Sequence, residues 1–197
     1  RLMLDEELAR AILVGDGRNS SSDDKINEQN IRPIVSDAAL YTIRKNVTVK
    51  TSATDSEKAK AFIRAAVKSR KDYRGSGEPT LFTTEDWLTE MLLLEDTTGR
   101  TIYDTTEKLK SALRVKDIVT VPVMEGVKGV GGGDLMGIIV NLVDYNVGAD
   151  KGGAINMFDD FDIDYNQQKY LIETRCSGAL TKPYSAIALE LDATASA

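Results

Sequence analysis

Hydrophobic and polar positions alternate most regularly over residues 158–191. Phe161, Ile163 and Tyr165 alternate with Asp160, Asp162 and Asp164. Tyr170, Ile172, Thr174 and Cys176 then alternate with Lys169, Leu171, Glu173 and Arg175, and Ile187, Leu189 and Leu191 with Ala186, Ala188 and Glu190. A period of two sends successive side chains to opposite faces, so this stretch predicts three strand segments, each with one covered face. Pro183 opens the last, where a missing N–H does least harm. The fold is expected to close here, with the middle of the chain an excursion from this sheet.

Upstream, the period changes. Leu4, Leu8, Ala11 and Ile12 fall at i, i+4, i+7 and i+8, one face of a helix over 1–13 that stops at Val14-Gly15-Asp16-Gly17. No N-cap precedes it, which predicts a helix begun upstream of Arg1 in a longer protein. Arg18–Gln29 is polar and reads as a mobile loop. Tyr41, Ile43, Val47 and Val49 place a strand within 31–50, with Lys45 interrupting that face. Thr54-x-x-Glu57 is a capping box, and Ala59, Phe62, Ile63, Ala66 and Val67 mark the inner face of the helix behind it, as far as Lys71.

Thr80–Phe82 predicts a short buried strand, and Thr83 or Thr84 caps a helix whose apolar side is Trp87, Leu88, Met91, Leu92 and Leu94. Trp87 reads as a core anchor. Asp96–Arg100 is a turn, 105–113 a short helix and 118–123 a strand. Glu125–Asp134 (EGVKGVGGGD) reads as the most flexible loop, Leu135–Tyr145 as one long central strand, and 150–153 as a turn. Strands and helices alternate irregularly and without an internal repeat, which predicts an α+β or mixed α/β class and not a doubly wound sheet.

Composition narrows the chemistry. The chain has 197 residues, 42% hydrophobic and 28% charged, enough for one large domain or two small ones. No apolar run approaches the roughly 20 residues of a membrane helix, and Asp5, Glu6 and Glu7 interrupt the apolar stretch that a secretory signal needs. The net charge of -6 argues against a surface devoted to gripping phosphates, while leaving room for a local basic patch. The absence of histidine removes the commonest general base, Ser-His and Cys-His pairs, and His-based zinc sites. Cys176 stands alone, which excludes an intrachain disulfide; on the apolar side of its strand it reads as a buried, inert thiol.

Three patterns were weighed for chemistry. Gly129, Gly131, Gly132 and Gly133 suggest a phosphate loop, but no Gly-Lys-Ser/Thr follows, Asp134 stands where a dinucleotide fingerprint needs its third glycine, and the next segment reads as a strand. Asp162, Asp164, Asn166 and Glu173 match part of a calcium loop, yet Gln167 occupies the position where the turn needs glycine, and Lys169 one that is normally apolar. Carboxylate pairs such as Asp159 and Asp160 lack a partner or nucleophile for acid–base work, and acids alternating on a strand read as a wet sheet face. The cations Lys58, Lys60, Arg64, Lys68, Arg70 and Lys71 read first as a solvated helix face, and second as a contact with nucleic acid or an acidic neighbour.

Several features then fall in a recognisable order. A helix ends in Ala11-Ile-Leu-Val-Gly-Asp-Gly17, and a helix at 57–71 leads to Leu81-Phe-Thr-Thr-Glu-Asp-Trp87 and to Leu92–Arg100 (LLLEDTTGR). Val121-Pro122-Val123 follows, then the glycine-rich turn before Asp134-Leu-Met-Gly137, then Phe158-Asp-Asp-Phe-Asp-Ile and Arg175-Cys-Ser-Gly-Ala-Leu-Thr-Lys-Pro183. Over nearly the whole chain this order resembles the major capsid proteins of tailed bacteriophages.

The resemblance implies an α+β capsid fold. An axial domain, 18–153, would be inserted into a peripheral domain made of 1–17, the end of a spine helix, and 154–192, a long hairpin packed on that helix, with 193–197 as a tail. The N-terminal arm and extended loop that clasp neighbours in such proteins would lie upstream of Arg1. The function implied is self-association into pentamers and hexamers that tile an icosahedral head around DNA, with no catalytic residue, cofactor, metal site, membrane or sequence-specific DNA contact. Scaffold, portal and decoration proteins are the further partners implied, and the place is the virion, assembled in the host bacterial cytoplasm. Candidate interface residues are Arg64 and Lys68, facing an acidic neighbour; Gly131, Gly132 and Gly133, near a capsomer axis; and Asp160 and Asp162, on a subunit-facing edge. An encapsulin-type nanocompartment shell is similar in fold, and a carboxylate-based metal-binding module or enzyme is the alternative from another class.

Overall fold

The computed structural model describes residues 2–19, 21, 26–150 and 155–194. Four helices are present among them: α1 (Leu2–Val14), α2 (Asp55–Ser69), α3 (Glu85–Leu92) and α4 (Thr106–Leu113). The strands are β1 (Thr42–Lys50), β2 (Thr80–Thr83), β3 (Asp117–Thr120), β4 (Leu135–Val140), β5 (Tyr145–Ala149), β6 (Asn156–Asp162), β7 (Gln167–Glu173), β8 (Cys176–Leu180) and β9 (Ala186–Thr194). Arg1, part of the polar segment after Arg18, most of the turn expected at 150–153 and the end of the expected tail lie outside the described residues.

A threonine starts each of three helices. Thr54 accepts the Glu57 N–H while the Glu57 carboxylate accepts the Thr54 N–H, which satisfies two otherwise orphaned donors of α2. Thr84 and Thr105 cap α3 and α4 by accepting the N–H of Trp87 and of Lys108.

β1, β9, β4, β2 and β3 form a five-stranded sheet in that order. β9 runs parallel to β1 and antiparallel to β4. Side chains from the two faces of this sheet feed two cores. Ile187 and Leu189 of β9 join Phe62, Leu81, Met91, Leu109 and Ile139 under α2, α3 and α4. Ala186 and Ala188 join Leu13, Val14, Ile34, Phe82, Ile138 and Leu180 on the other side. β4 is buried at every position, which explains its unbroken apolar run. Burying one such large side chain stabilises the fold by about 1.5–3 kcal/mol.

The structure departs from the sequence expectations in four places. The apolar run 135–145 is two strands, because the Asn141 side chain accepts the Val143 N–H at 3.1 Å and turns the chain through a 3-10 turn at Leu142–Asp144. The strand expected over 118–123 stops at Thr120, and Pro122, which has no N–H to give a ladder, opens a 3-10 turn over Pro122–Met124. The C-terminal stretch forms four strands in three sheets, since Ile163–Asn166 is a turn with Asn166 at φ 50, and Thr174 and Arg175 separate β7 from β8. Finally, β9 does not close a sheet with its neighbours in sequence: it sits between β1 and β4 and shares their sheet.

The expected packing of the hairpin on α1 divides in the same way. α1 packs on the Pro122–Met124 turn and shares a core with Leu180 of β8 and Ala186 and Ala188 of β9. Among the described elements, β6 and β7 pack chiefly on each other.

The loop after α1 is pinned where it is described. Glu28, 2% exposed, accepts a hydrogen bond from Arg10 of α1 and, at 2.8 Å, from Arg18. Gly15 makes this approach possible, because a Cβ there would stand 2.6 Å from the Ala11 carbonyl and 3.1 Å from the Glu28 carboxylate.

Candidate assembly surfaces

The sequence-derived candidates fall in three separate places: a groove, a loop and a hairpin. Arg64 and Lys68 lie in the groove. α2 turns Ala59, Phe62, Ile63 and Ala66 inward. The spacing i, i+4, i+8 then lines Lys60, Arg64 and Lys68 along one outer stripe, with Lys71 just past the end of the helix. That stripe faces β1, the edge strand of the sheet, whose outer edge no described strand pairs. Between them runs a groove of about 640 Å³, lined by Lys45 and these four cations against Glu57 and Asp72. Lys45 pairs with Asp72 at 3.2 Å. Arg64 and Lys68 are exposed, and neither forms an ion pair with another described residue.

Gly131, Gly132 and Gly133 lie in the loop 125–134, which is more closely held than a flexible link. The Leu135 N–H donates to the Val127 carbonyl at 3.0 Å, the Gly129 N–H to Gly133 at 2.8 Å, and Lys128 forms an ion pair with Asp134. At the centre is Glu190 of β9, 2% exposed, whose carboxylate accepts the Val130 N–H at 3.0 Å and the Gly131 N–H at 2.7 Å. The glycines follow from this contact. A Cβ at 129 would stand 2.0 Å from the Glu190 carboxyl carbon, and one at 133 only 1.9 Å from the Leu191 carbonyl oxygen. Gly132 has φ +85, in the left-handed region that favours glycine.

Asp160 and Asp162 lie on the β6–β7 hairpin. Asp160 stands opposite Lys169 in the register, and Asp162 is ion-paired with Lys169, a bond that holds its carboxyl below the usual range. Around them the hairpin exposes Met157 (65%), Phe158 (53%), Phe161 (50%), Tyr170 (66%) and Leu171 (57%), and its turn exposes Ile163 and Tyr165. The cross-strand pairs Met157–Ile172 and Phe158–Leu171 stand on opposite faces, so apolar surface looks out on both sides. The alternation that predicted a covered face therefore has no cover among the described residues.

Metal and acid–base readings meet a different geometry. Among the described residues no group of three or more Cys, Asp or Glu could hold a metal ion. Asp162 pairs with Gln167 beside the turn, whereas Glu173 pairs with Asn156 at the base of the hairpin. Six residues of strand, roughly 20 Å, separate these ends, so the twelve-residue calcium loop is not formed. Cys176 is half-buried, and burial pushes its thiol up, away from the reactive thiolate. Ser76 is committed as well, since its hydroxyl donates to the buried Asp144 at 2.5 Å. Trp87 lies at the rim of the core, partly buried beside α2.

Two features were missed from sequence. Glu190 was read as the polar side of an alternating strand, although in a sheet covered on both faces that side is also buried. Its signal was the lone charge within Ala186–Leu191, five residues of which are apolar. The open edge of β1 had no local signal, because strand order is set by residues far apart in the chain.

No protein-family model matches the sequence, and no curated protein matches it. Solved structures do. A virus-like particle from Pyrococcus furiosus matches with a TM-score of 0.57 at 13% identity, covering 95% of this chain and 64% of that one. The capsid of an empty GTA particle matches with a TM-score of 0.57 at 12% identity, covering 98% and 65%. Gordonia phage Cozz matches with a TM-score of 0.52 at 14% identity, covering 97% and 60%. This chain thus spans between 60% and 65% of the length of these structures. From end to end of its described residues, the chain has the fold of the major capsid proteins of tailed bacteriophages.

Proposed function

We propose that this chain is the shell-forming part of a viral head subunit. Copies associate into pentamers and hexamers, and these tile a closed icosahedral shell around phage DNA. The carrying observation is an apolar hairpin with neither face covered, on a fold that the solved capsids share. Surface of that kind marks a site where another protein sits. Weak contacts repeated with symmetry close into a finite shell, so no single strong site is required. The net charge of -6 suits a wall that confines DNA without gripping it. The role is structural and not catalytic, within the virion, with assembly in the host cytoplasm. Scaffold, portal and decoration proteins are further partners of such a shell.

The test is electron microscopy of the full-length protein, expressed alone and with its neighbouring genes. Closed particles with five- and six-fold rings are expected; a monodisperse monomer under both conditions would sink the reading. A second reading is a nanocompartment that encloses protein instead of a genome, and the likeness to a virus-like particle supports it. Nuclease-protected DNA inside purified particles favours the head; a protein cargo without nucleic acid favours the compartment.

A further inference from the structure

We infer that the β6–β7 hairpin of one copy seats in the α2–β1 groove of the next, an assignment that rests on the shell reading and names two surfaces that would meet in it. Three observations converge on this pairing. The first is charge. Hairpin residues 156–173 hold the acids Asp159, Asp160, Asp162, Asp164 and Glu173 against Lys169 alone. The groove presents Lys45, Lys60, Arg64, Lys68 and Lys71 against Glu57 and Asp72. Each surface is only partly answered among the described residues: Lys45 has Asp72 and Asp162 has Lys169, while Arg64 and Lys68 have no described ion-pair partner. Opposite potentials steer encounter and fix register between partners.

The second observation is backbone. β1 is an edge strand, and the hairpin is a two-stranded sheet with two open edges. Unpaired edges offer rows of N–H and C=O groups that another strand satisfies. The groove therefore has one wall suited to a strand and one suited to carboxylates, and β6 is a strand carrying carboxylates. Nucleic acid would answer the cations but leave the β1 edge without a partner. The third is apolar surface. Met157, Phe158, Phe161, Tyr170 and Leu171 are each at least half exposed, and a hairpin alone is marginally stable in water. Docking covers them. The contact is head-to-tail, hairpin to groove, so a joined pair keeps one hairpin and one groove free for further copies. Such contacts generate rings.

The experiment uses the full-length protein, with two readouts. In the first, Arg64→Glu with Lys68→Glu, Asp159→Lys with Asp160→Lys, and the four changes together are compared for particles by sedimentation and electron microscopy. Each pair alone is expected to cut particle yield by roughly tenfold or more, about 1.4 kcal/mol of contact energy, and the combination to restore it. A combination no better than either pair overturns the inference, as does wild-type yield from both pairs. In the second, mixed isotope-labelled and unlabelled protein is treated with a zero-length carbodiimide and mapped by mass spectrometry. Links between copies that join Lys60, Lys68 or Lys71 to Asp159 or Asp160 are expected, and their absence overturns the inference. This arm reads the contact even where the wild type makes no particles, an outcome that counts against the shell reading alone. Duplex DNA retarded by the wild type and released by Arg64→Glu with Lys68→Glu would reassign the groove to nucleic acid and overturn the pairing.

Discussion

The Glu190 carboxylate accepts the Gly131 N–H at 2.7 Å from a strand near the middle of the sheet. The partners lie 59 residues apart in the chain, and the bond ties the glycine loop to β9. A buried carboxylate with two backbone donors leaves both donors stranded if it is removed. Glu190→Ala should therefore cost about 2–3 kcal/mol, and Glu190→Gln, which keeps one acceptor, less than half of that. Urea midpoints at constant m-value measure the difference; equal midpoints for wild type and Glu190→Ala would show that the loop is held without this bond.

Gly133 and Gly99 separate close approach from turn geometry. A Cβ at 133 meets the Leu191 carbonyl oxygen at 1.9 Å, whereas at Gly99, with φ +76, nothing lies within 4 Å. Gly99→Ala should cost about 1 kcal/mol of left-handed strain, and Gly133→Ala more, with altered amide shifts in β9. Thermal denaturation ranks the two, and the opposite order would remove close packing as the reason for Gly133.

Tyr145 predicts an alkaline transition. Its ring lies against Gly178, where a Cβ would stand 2.6 Å from it, and its hydroxyl donates to the Arg32 carbonyl at 3.0 Å. Burial pushes its pKa up to about 12. An acid whose folded value lies above its unfolded value releases its proton first in the unfolded chain. Stability should then fall as pH rises from about 10 to about 12, by up to roughly 1.4 kcal/mol per pH unit from this group. Tyr73, also raised to about 12 by burial, adds to the slope. Denaturant titrations at pH 9, about 10.5 and about 11.5 measure it, and Tyr145→Phe should flatten the curve.

Polar substitutions on the hairpin should separate assembly from folding. Met157→Ser with Phe161→Ser removes exposed apolar surface that belongs to neither core cluster. The melting temperature of the unassembled chain should stay within the shift caused by about 0.5 kcal/mol, while particle yield from the full-length protein drops sharply. Lost stability together with unchanged yield would place these side chains inside the fold and not between copies.

How much of this was legible in sequence follows from what each signal encodes. The caps expected at Thr54 and at Thr83 or Thr84 and the Ala59–Ala66 stripe are local, and they placed α2 and α3 nearly to the residue. Alternation located the strands of the last third but identified neither partner nor cover. It read Glu190 as solvent-facing when that side is buried, and it promised a covered face to a hairpin whose sides are both open. Asn141 ended β4 through its own side chain, a turn signal masked by the apolar residues around it. Of the proposed site, the cationic stripe was legible because Lys60, Arg64 and Lys68 share a helix face. The open edge of β1 was not, because its only described strand partner begins at Ala186.

That partner has a temporal consequence. Thr42 pairs with Ala186, and β9 also pairs with β4. During synthesis β2, β3 and β4 can meet, but β1 has nothing to join until residues 186–194 have been made. The β1 wall of the α2–β1 groove is not fixed in the sheet before then. On the pairing inferred above, a nascent copy thus carries a hairpin before it has a finished place to receive one, and it cannot capture a neighbour's hairpin until residues 186–194 have left the ribosome.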